Sequence, residues 1–147
     1  MVDRLTERRV YEERNAISCL ALALYCPSLR IGGTAHIRPP YLPVLNYLMS
    51  EIPLAVRESS LAVVTGVSFP LDGDPHINEQ SFKCQTLARY HIRNLLIRRG
   101  FEPERVVNKF SPPNTVTHLR FEPATGFVEI RRSNPFTESM KTESFYL

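Results

Sequence analysis

Apolar residues recur along the first part of the chain at intervals that fit a helix. Residues 4–26 carry apolar side chains at helical spacing, Leu20 and Leu24 among them, and this pattern stops before Pro27. The second half of the segment, AISCLALALYC, is apolar nearly all round, which is typical of a central helix or of a subunit contact. The pattern therefore predicts an N-terminal helix over residues 4–26, through which the chain could form a homo-oligomer.

The clearest helix is predicted over residues 76–99. Gly100 follows it at the position where glycine commonly ends a helix, and Arg98 and Arg99 suit the negative end of the helix dipole. One side of this helix carries a broad apolar stripe that we expect to lie in the core. The stripe consists of Ile77, Cys84, Leu87, Ala88, Ile92, Leu95 and Leu96.

Shorter elements are predicted around these two helices. Residues 61–69, LAVVTGVSF, form a β-branched apolar run that is typical of a buried central strand. A helix is predicted from Pro40 to about Glu51, and a short hairpin is predicted at residues 28–38 with its turn at Gly32-Gly33. Three more strands are predicted at residues 105–110, 115–121 and 127–132, and the last two form a hairpin around EPATG.

Together these elements predict an α+β fold in a single domain over residues 1–132. We expect a mostly antiparallel sheet of about four strands, built from residues 61–69 and the three C-terminal strands. This sheet would pack on the long helix, with the N-terminal helix and the short hairpin beside it. Residues 133–147 are polar and are expected to form a flexible tail.

The composition narrows the class of protein. Hydrophobic residues make up 43 % and charged residues 22 %, which is ordinary for a globular domain, and no apolar run approaches the roughly 20 residues of a membrane span. Cys19, Cys26 and Cys84 are odd in number and form no close pair, which argues against a disulfide framework or a zinc ribbon. We expect reduced thiols in a cytoplasmic or nuclear protein, with no metal site and no cofactor.

Positive charge is concentrated in one stretch of the chain. Residues 81–110 carry seven basic and two acidic residues, and the side of helix 76–99 that faces away from the apolar stripe is aromatic and basic. Arg89 and Arg93, four residues apart, repel each other mildly, and an anionic partner would relieve that repulsion. The predicted binding residues are Phe82, Lys83, Arg89, Tyr90, Arg93, Ile97, Arg105 and Lys109.

Three interpretations of this basic-aromatic face stay open. RNA could place phosphates on the arginines and stack bases on Phe82 and Tyr90. An acidic protein could bind the same residues, because Arg, Tyr and Phe are enriched in interface cores. Alternatively, the C-terminal hairpin covers the face, which makes it part of the core with arginines reaching out to water.

A second pattern is a repeated His-(Ile/Leu)-Arg triplet, which begins at His36, His91 and His118. On a strand, the histidine and arginine of a triplet face the same way, whereas on helix 76–99 they point apart, so only the copies at His36 and His118 could be related. Two strand-borne histidines facing a cleft are similar to the plan of the 2H phosphoesterases. That family's motif is His-x-Thr/Ser, and here Arg38 and Arg120 occupy the places of its phosphate-binding hydroxyl.

These observations favour a small non-enzymatic accessory or assembly protein that binds an anionic partner through residues 82–110. RNA stands slightly ahead of an acidic protein because arginines and aromatic residues are interleaved, and the compact, arginine-rich character would suit a viral accessory protein. The competing hypothesis is a phosphoesterase-like enzyme that acts on RNA or nucleotides with His36 and His118. That enzyme requires the two imidazoles to face each other across one groove.

Overall fold

A computed structural model of the protein describes residues 11–16 and 18–147, which form two sheets and a layer of helices. The strands are β1 (Tyr11–Ala16), β2 (Leu20–Cys26), β3 (Ile31–Ile37), β4 (Leu61–Gly66), β5 (Val106–Phe110), β6 (Val116–Glu122), β7 (Phe127–Asn134) and β8 (Ser139–Tyr146). The helices are α1 (Tyr41–Glu51), α2 (Leu54–Glu58) and α3 (Pro75–Arg98), and a single 3-10 turn at Pro103–Arg105 precedes β5. Sheet A has the strand order β3-β2-β4-β5, and sheet B has the order β1-β6-β7-β8.

Strand β2 lies inside sheet A, where the sequence predicts a helix. It pairs antiparallel with β3 on one side and with β4 on the other, and all seven of its residues are buried. A strand covered on both faces is apolar at every position, and periodicity alone does not distinguish it from a buried helix. The predicted helix 4–26 is therefore wrong over residues 11–16 and 18–26, whereas residues 4–10 and residue 17 lie outside the described residues. The proposed subunit contact through that helix loses its basis with it.

The turn between β2 and β3 lies at residues 27–30, not at Gly32-Gly33 as predicted. Gly32 is inside β3, where an added Cβ would come within 2.5 Å of the Leu24 carbonyl oxygen and of the Phe121 ring. Glycine is therefore required here for close approach of the two sheets rather than for a turn.

The helices cover one face of sheet A. Leu20, Leu22 and Leu24 point from β2 toward them and join a core with Leu45 of α1 and Ile92 of α3, among others. Asp74 begins α3 by accepting a hydrogen bond from the His76 backbone N–H at 2.9 Å, and Gly100 follows α3 with φ +112°. These boundaries confirm the predicted long helix, and α1 confirms the predicted helix that follows Pro40.

Sheet B covers the other face of sheet A. Ala21, Ala23 and Tyr25 alternate with the leucines of β2 and pack against a second core that includes Leu119 and Phe121 of sheet B. The prediction of one four-stranded sheet is therefore wrong, since β4 and β5 belong to sheet A, and β6 and β7 belong to sheet B. The loop Ser111–Thr115, which contains Pro112 and Pro113, carries the chain from one sheet to the other. A proline pair ends strand pairing and allows this change of layer.

The predicted hairpin is nevertheless present, since β6 and β7 pair antiparallel with Glu122 opposite Phe127. Strands β4 and β5 also pair, but as parallel neighbours that α3 connects. Strand β8 occupies the segment for which the sequence predicts a flexible polar tail, and it pairs with β7 from Ser139 to Tyr146. Its side chains are mostly polar because it is the last strand of sheet B and has much of its surface in water.

Candidate functional site

The predicted basic-aromatic face of α3 is not covered by the C-terminal hairpin, but its members have different environments. Phe82 and Tyr90 are 57 % and 64 % exposed, and Phe82 also makes an edge contact with Phe69. Ile97 packs against the core beneath the helices. Two aromatic side chains of the predicted site are therefore at the surface, whereas its isoleucine is part of the fold.

Arg89 points into the fold rather than toward solvent. Its guanidinium donates to the Val67 carbonyl oxygen from Nε at 3.2 Å and from Nη2 at 2.8 Å, and Nη2 also donates to the Ser111 carbonyl oxygen. The same group lies 5.2 Å from the centre of the Phe110 ring. Burial lowers the pKa of Arg89 below its usual value. Arg89 thus satisfies carbonyl groups just beyond the carboxyl ends of β4 and β5, and a bidentate arginine suits this position.

Two further cations of the predicted site make internal contacts. Lys109 Nζ lies 2.5 Å from Glu143 Oε1, and Arg132 Nη1 lies 3.3 Å from Glu143 Oε2. The hydrogen bond from Lys109 and the contacts with Arg132 hold the pKa of Glu143 below its ordinary value, against the opposing effect of partial burial. Arg105 donates to the Ser59 carbonyl oxygen at 3.2 Å. Lys109, Arg132 and Glu143 thus join the edges of the two sheets, and Arg105 secures the loop that contains Ser59.

The remaining cations of the predicted site stay near the surface. Lys83 pairs with Glu79 at 2.9 Å, but both side chains are well exposed, so this pair contributes little to stability. Arg93 is partly buried, and within the described residues no ion pair involves it. The structure therefore brings Phe82, Lys83 and Tyr90 to the surface of α3, with Arg93 partly buried beside them.

The apolar stripe of α3 is only partly used as core. Ile92 and Leu96 are fully buried, and Ala88 and Leu95 pack beside them. The N-terminal half of the stripe is left in solvent, where Leu87 is 59 % exposed. Helix α1 has 11 residues and α3 has 24, and part of the apolar side of α3 is left exposed among the described residues.

A groove of about 440 Å³ lies between α1 and α3. Its walls are Leu42, Pro43 and Asn46 of α1, together with Tyr90, His91, Asn94, Leu95, Arg98 and Arg99 at the end of α3. The lining residues contain two arginines and a histidine, and none of them is acidic. Arg99 donates from Nη2 to Asn46 Oδ1 and so joins the two helices at one end of the groove. The α1–α3 groove thus combines apolar and positively charged groups in one concave surface, as binding sites commonly do.

Sequence reasoning found Tyr90 but missed most of this groove. Leu42 and Asn46 lie on a helix that the sequence predicts without any indication of which side faces outward. Arg98 and Arg99 were interpreted only as complements of the helix dipole. Leu87 was expected to be buried. A broad apolar stripe that exceeds the width of one neighbouring element is the signal that could have indicated an uncovered surface.

The two histidines of the enzyme hypothesis do not share a groove. His36 lies opposite Ala21 in the sheet register, and Ala21 packs in the core between the two sheets. His118 is adjacent in sequence to Leu119, which points into that same core, so the His118 side chain lies on the outer face of sheet B. His36 therefore lies on the side of sheet A that faces sheet B, whereas His118 lies on the outer face of sheet B, where it lines a depression with Glu12, Arg120 and Arg131.

Among the described residues, no group of three or more His, Cys, Asp or Glu side chains could hold a metal ion. No helix in residues 18–147 is both long and apolar enough to cross a lipid bilayer.

Comparison with known protein families and with curated proteins finds no match for this chain. Its function therefore has to be argued from the geometry of its surfaces.

Proposed function

We propose that this protein is a non-enzymatic accessory or assembly factor that binds an acidic segment of another protein in the α1–α3 groove. The observation that carries this proposal is a groove lined by apolar groups and two arginines, with no carboxylate among its lining residues. Apolar grooves with a few polar groups are typical of binding sites, and the positive charge favours an acidic occupant.

The groove offers contacts that match an amphipathic peptide. Tyr90, Asn94 and Arg98 lie four residues apart and follow α3 for about 12 Å, given the rise of the helix. Apolar side chains of the partner would pack against Leu42 and Leu95. A carboxylate of the partner would bind Arg98, whose guanidinium suits a carboxylate because it can donate two parallel hydrogen bonds.

The same geometry makes RNA the weaker candidate. Three of the cations predicted to contact phosphates donate hydrogen bonds within the protein instead. Arg89 and Arg105 donate to carbonyl groups, and Lys109 donates to Glu143. Phosphate contacts dominate the affinity of proteins for nucleic acid. The internal contacts of these three cations therefore weaken the RNA hypothesis more than they weaken the hypothesis of an acidic protein partner. Phe82, Lys83 and Arg93 remain available on the outer side of α3, and RNA binding is therefore a measurable alternative.

A peptide-display selection against the wild-type protein tests the proposal. We expect the selected peptides to combine apolar residues with Asp or Glu, and to bind the purified protein in a fluorescence anisotropy titration. Arg98→Glu should weaken their binding at least about tenfold, because it places a carboxylate in the groove. Arg131→Glu is the matched control, since Arg131 is an exposed arginine on the opposite outer surface of the molecule, and it should leave the affinity unchanged.

Two outcomes would contradict the proposal. One is selected peptides without acidic residues whose binding is unaffected by Arg98→Glu. The other is tight binding of a labelled single-stranded RNA that depends on Phe82 and Arg93 and weakens steeply with salt, which would favour RNA instead.

A further inference from the structure

A second interaction surface lies at the edge of sheet B, away from the α1–α3 groove. Among the described residues, β8 is the last strand of this sheet, and it pairs only with β7. Its register with β7 runs without interruption from Ser139 to Tyr146, and it contains no proline and no bulge. Prolines and bulges are among the features by which natural proteins protect an edge strand from pairing with another chain. A long regular edge strand without them is a ready template for strand addition.

The orientation of the β8 backbone follows from one hydrogen bond. The Leu147 N–H donates to the Gly126 carbonyl oxygen at 2.9 Å, toward the β7 side. Because the ladder of an antiparallel pair alternates, the N–H groups of Lys141, Glu143 and Phe145 also point toward β7. The N–H and C=O groups of the alternate residues, Met140, Thr142, Ser144 and Tyr146, therefore point to the free edge.

The charges on β8 make this edge complementary to itself. On its paired side, Lys141 lies directly opposite Arg132 of β7, which is a like-charge pair of the kind that destabilises a sheet. Glu143 lies two residues further along on the same face and is 37 % exposed beyond its contacts with Lys109 and Arg132. If two β8 strands pair antiparallel about Thr142, Lys141 of each strand lies opposite Glu143 of the other.

We propose that β8 pairs antiparallel with β8 of a second copy of this chain, with the two Thr142 residues facing each other on the two-fold axis. This register joins the two copies of sheet B into one continuous sheet, and the outward backbone groups form about six new hydrogen bonds. Each Lys141 gains an opposite charge at a position where side chains of an antiparallel pair approach closely. Met140 and Tyr146, which are 65 % and 72 % exposed, come within diagonal reach of each other across the new contact.

The mass of the wild-type protein in solution is the first test. Sedimentation velocity over a range of concentrations should show a monomer–dimer equilibrium. Thr142→Pro removes an N–H that points only to the free edge, so it should abolish the dimer and leave the β7–β8 pairing in place. Thr142→Val is its matched control, because valine keeps the N–H and favours strands, and it should remain dimeric.

A charge variant separates loss of the dimer from loss of the fold. Lys141→Glu relieves the repulsion with Arg132 in each chain, but it places two carboxylates opposite each other across the contact. We expect the dissociation constant of the dimer to rise about tenfold while the melting temperature of the monomer does not fall. Arg98→Glu in the α1–α3 groove should leave the dimer intact, so this experiment is independent of the proposed function.

Disulfide trapping tests the register. In a Cys84→Ser background, Thr142→Cys should cross-link as a dimer on mild oxidation, because the two residues face each other. Ser144→Cys should not, since the two Ser144 residues would be about 14 Å apart. The proposal is overturned if the wild-type chain stays monomeric at every concentration, if Thr142→Pro and Lys141→Glu both remain dimeric, or if Ser144→Cys cross-links as readily as Thr142→Cys.

Discussion

The outer face of sheet B and the outer face of the helix layer are built differently. On sheet B, the outward charges are paired along the strands, as in Arg120–Glu122 at 2.7 Å and Arg131–Glu129 at 3.1 Å, and the large exposed apolar side chains Met140 and Tyr146 belong to the edge strand β8. On the helix layer, Leu87 and Tyr90 are largely exposed, and the arginines near them face no carboxylate in the groove. Both surfaces enclose well-packed cores, so the difference concerns only what each layer presents to its surroundings.

This difference supports the proposal that a partner binds the helix side of the molecule. A polar face with charges paired on its own surface is satisfied by water, and it needs nothing further. An apolar face with unmatched positive charge is costly in water and becomes favourable only when something covers it. For this reason we assign binding of an acidic partner to the helices, and we assign to sheet B only its edge strand.

The largest expected effect is a loss of stability on truncation of a side chain in the core between the two sheets. Phe121 is fully buried and makes an edge contact with Tyr25 at 5.5 Å between ring centres. Phe121→Ala should reduce the free energy of unfolding by about 3–5 kcal/mol in urea denaturation, because it leaves a cavity between the sheets. Phe82→Ala on the helix layer should cost less than about 1 kcal/mol. Equal losses for the two variants would remove the distinction between a core side and a binding side.

The second effect concerns two arginines that the sequence does not distinguish. Arg89→Ala should lower the free energy of unfolding by about 2 kcal/mol, because it leaves the buried carbonyl groups of Val67 and Ser111 without their donor. Arg93→Ala should change it by less than about 0.5 kcal/mol. Arg89→Lys should rescue little, since an ammonium group cannot reproduce the bidentate contact. Thermal and urea unfolding measure the stability of each variant. An Arg89→Ala variant as stable as wild type would show that the contacts of Arg89 with these carbonyl groups do not stabilise the fold.

A smaller effect depends on pH at the junction of the two sheets. The pKa of Glu143 is lowered in the folded protein from an ordinary value of 4.5, so its ion pairs stabilise the fold above that value. This contribution is lost as the pH falls through the lowered folded-state pKa, because the unfolded chain takes up the proton first. Glu143→Gln should be less stable than wild type at about pH 7 by under about 1 kcal/mol, given its exposure to solvent.

The control for this pH effect compares the stability of wild type and Glu143→Gln at acid pH. The difference in unfolding free energy between wild type and Glu143→Gln should vanish once the pH is well below 4.5. A difference that persists unchanged in acid would mean that the glutamine disrupts packing rather than an ion pair.

The smallest effect on stability is expected on the helix layer itself. Leu87→Gln should change the free energy of unfolding by less than about 0.5 kcal/mol, because the side chain has few contacts to lose. It should reduce binding of a hydrophobic dye such as ANS, while His118→Gln on sheet B should leave dye binding unchanged. Dye binding that is the same for wild type and Leu87→Gln would argue that this apolar surface is not continuous.

Local sequence signals predicted several elements in the middle of the chain and the hairpin near its end, but not β8. Pro40 and the residues after it predict α1, the β-branched run at 61–69 predicts β4, and Gly100 predicts the end of α3. The hairpin of β6 and β7 follows from alternation on either side of one turn. Each of these signals involves residues that are close in sequence, so no information about distant neighbours is needed.

The errors arise where distant neighbours determine the outcome. Residues 20–26 form a strand because β3 and β4 pair with them on both sides, and the same apolar run without those partners would fit a helix. For the candidate site, the sequence left open whether Phe82 and Tyr90 are covered, and the structure exposes both side chains. The sequence also gave Arg89 the same role as Arg93. The carbonyl groups that attract Arg89 belong to residues 22 positions away in each direction.

By itself, then, the sequence determined the class of the fold, its long helix and a concentration of positive charge along that helix. Only the tertiary structure decided which of those charges face the solvent, that the sheet is two sheets, and that the apolar stripe of α3 is wider than the layer beneath it. The physical reason is that periodicity reports which side chains prefer burial, whereas the burial itself depends on whether an element from elsewhere in the chain is present to cover them.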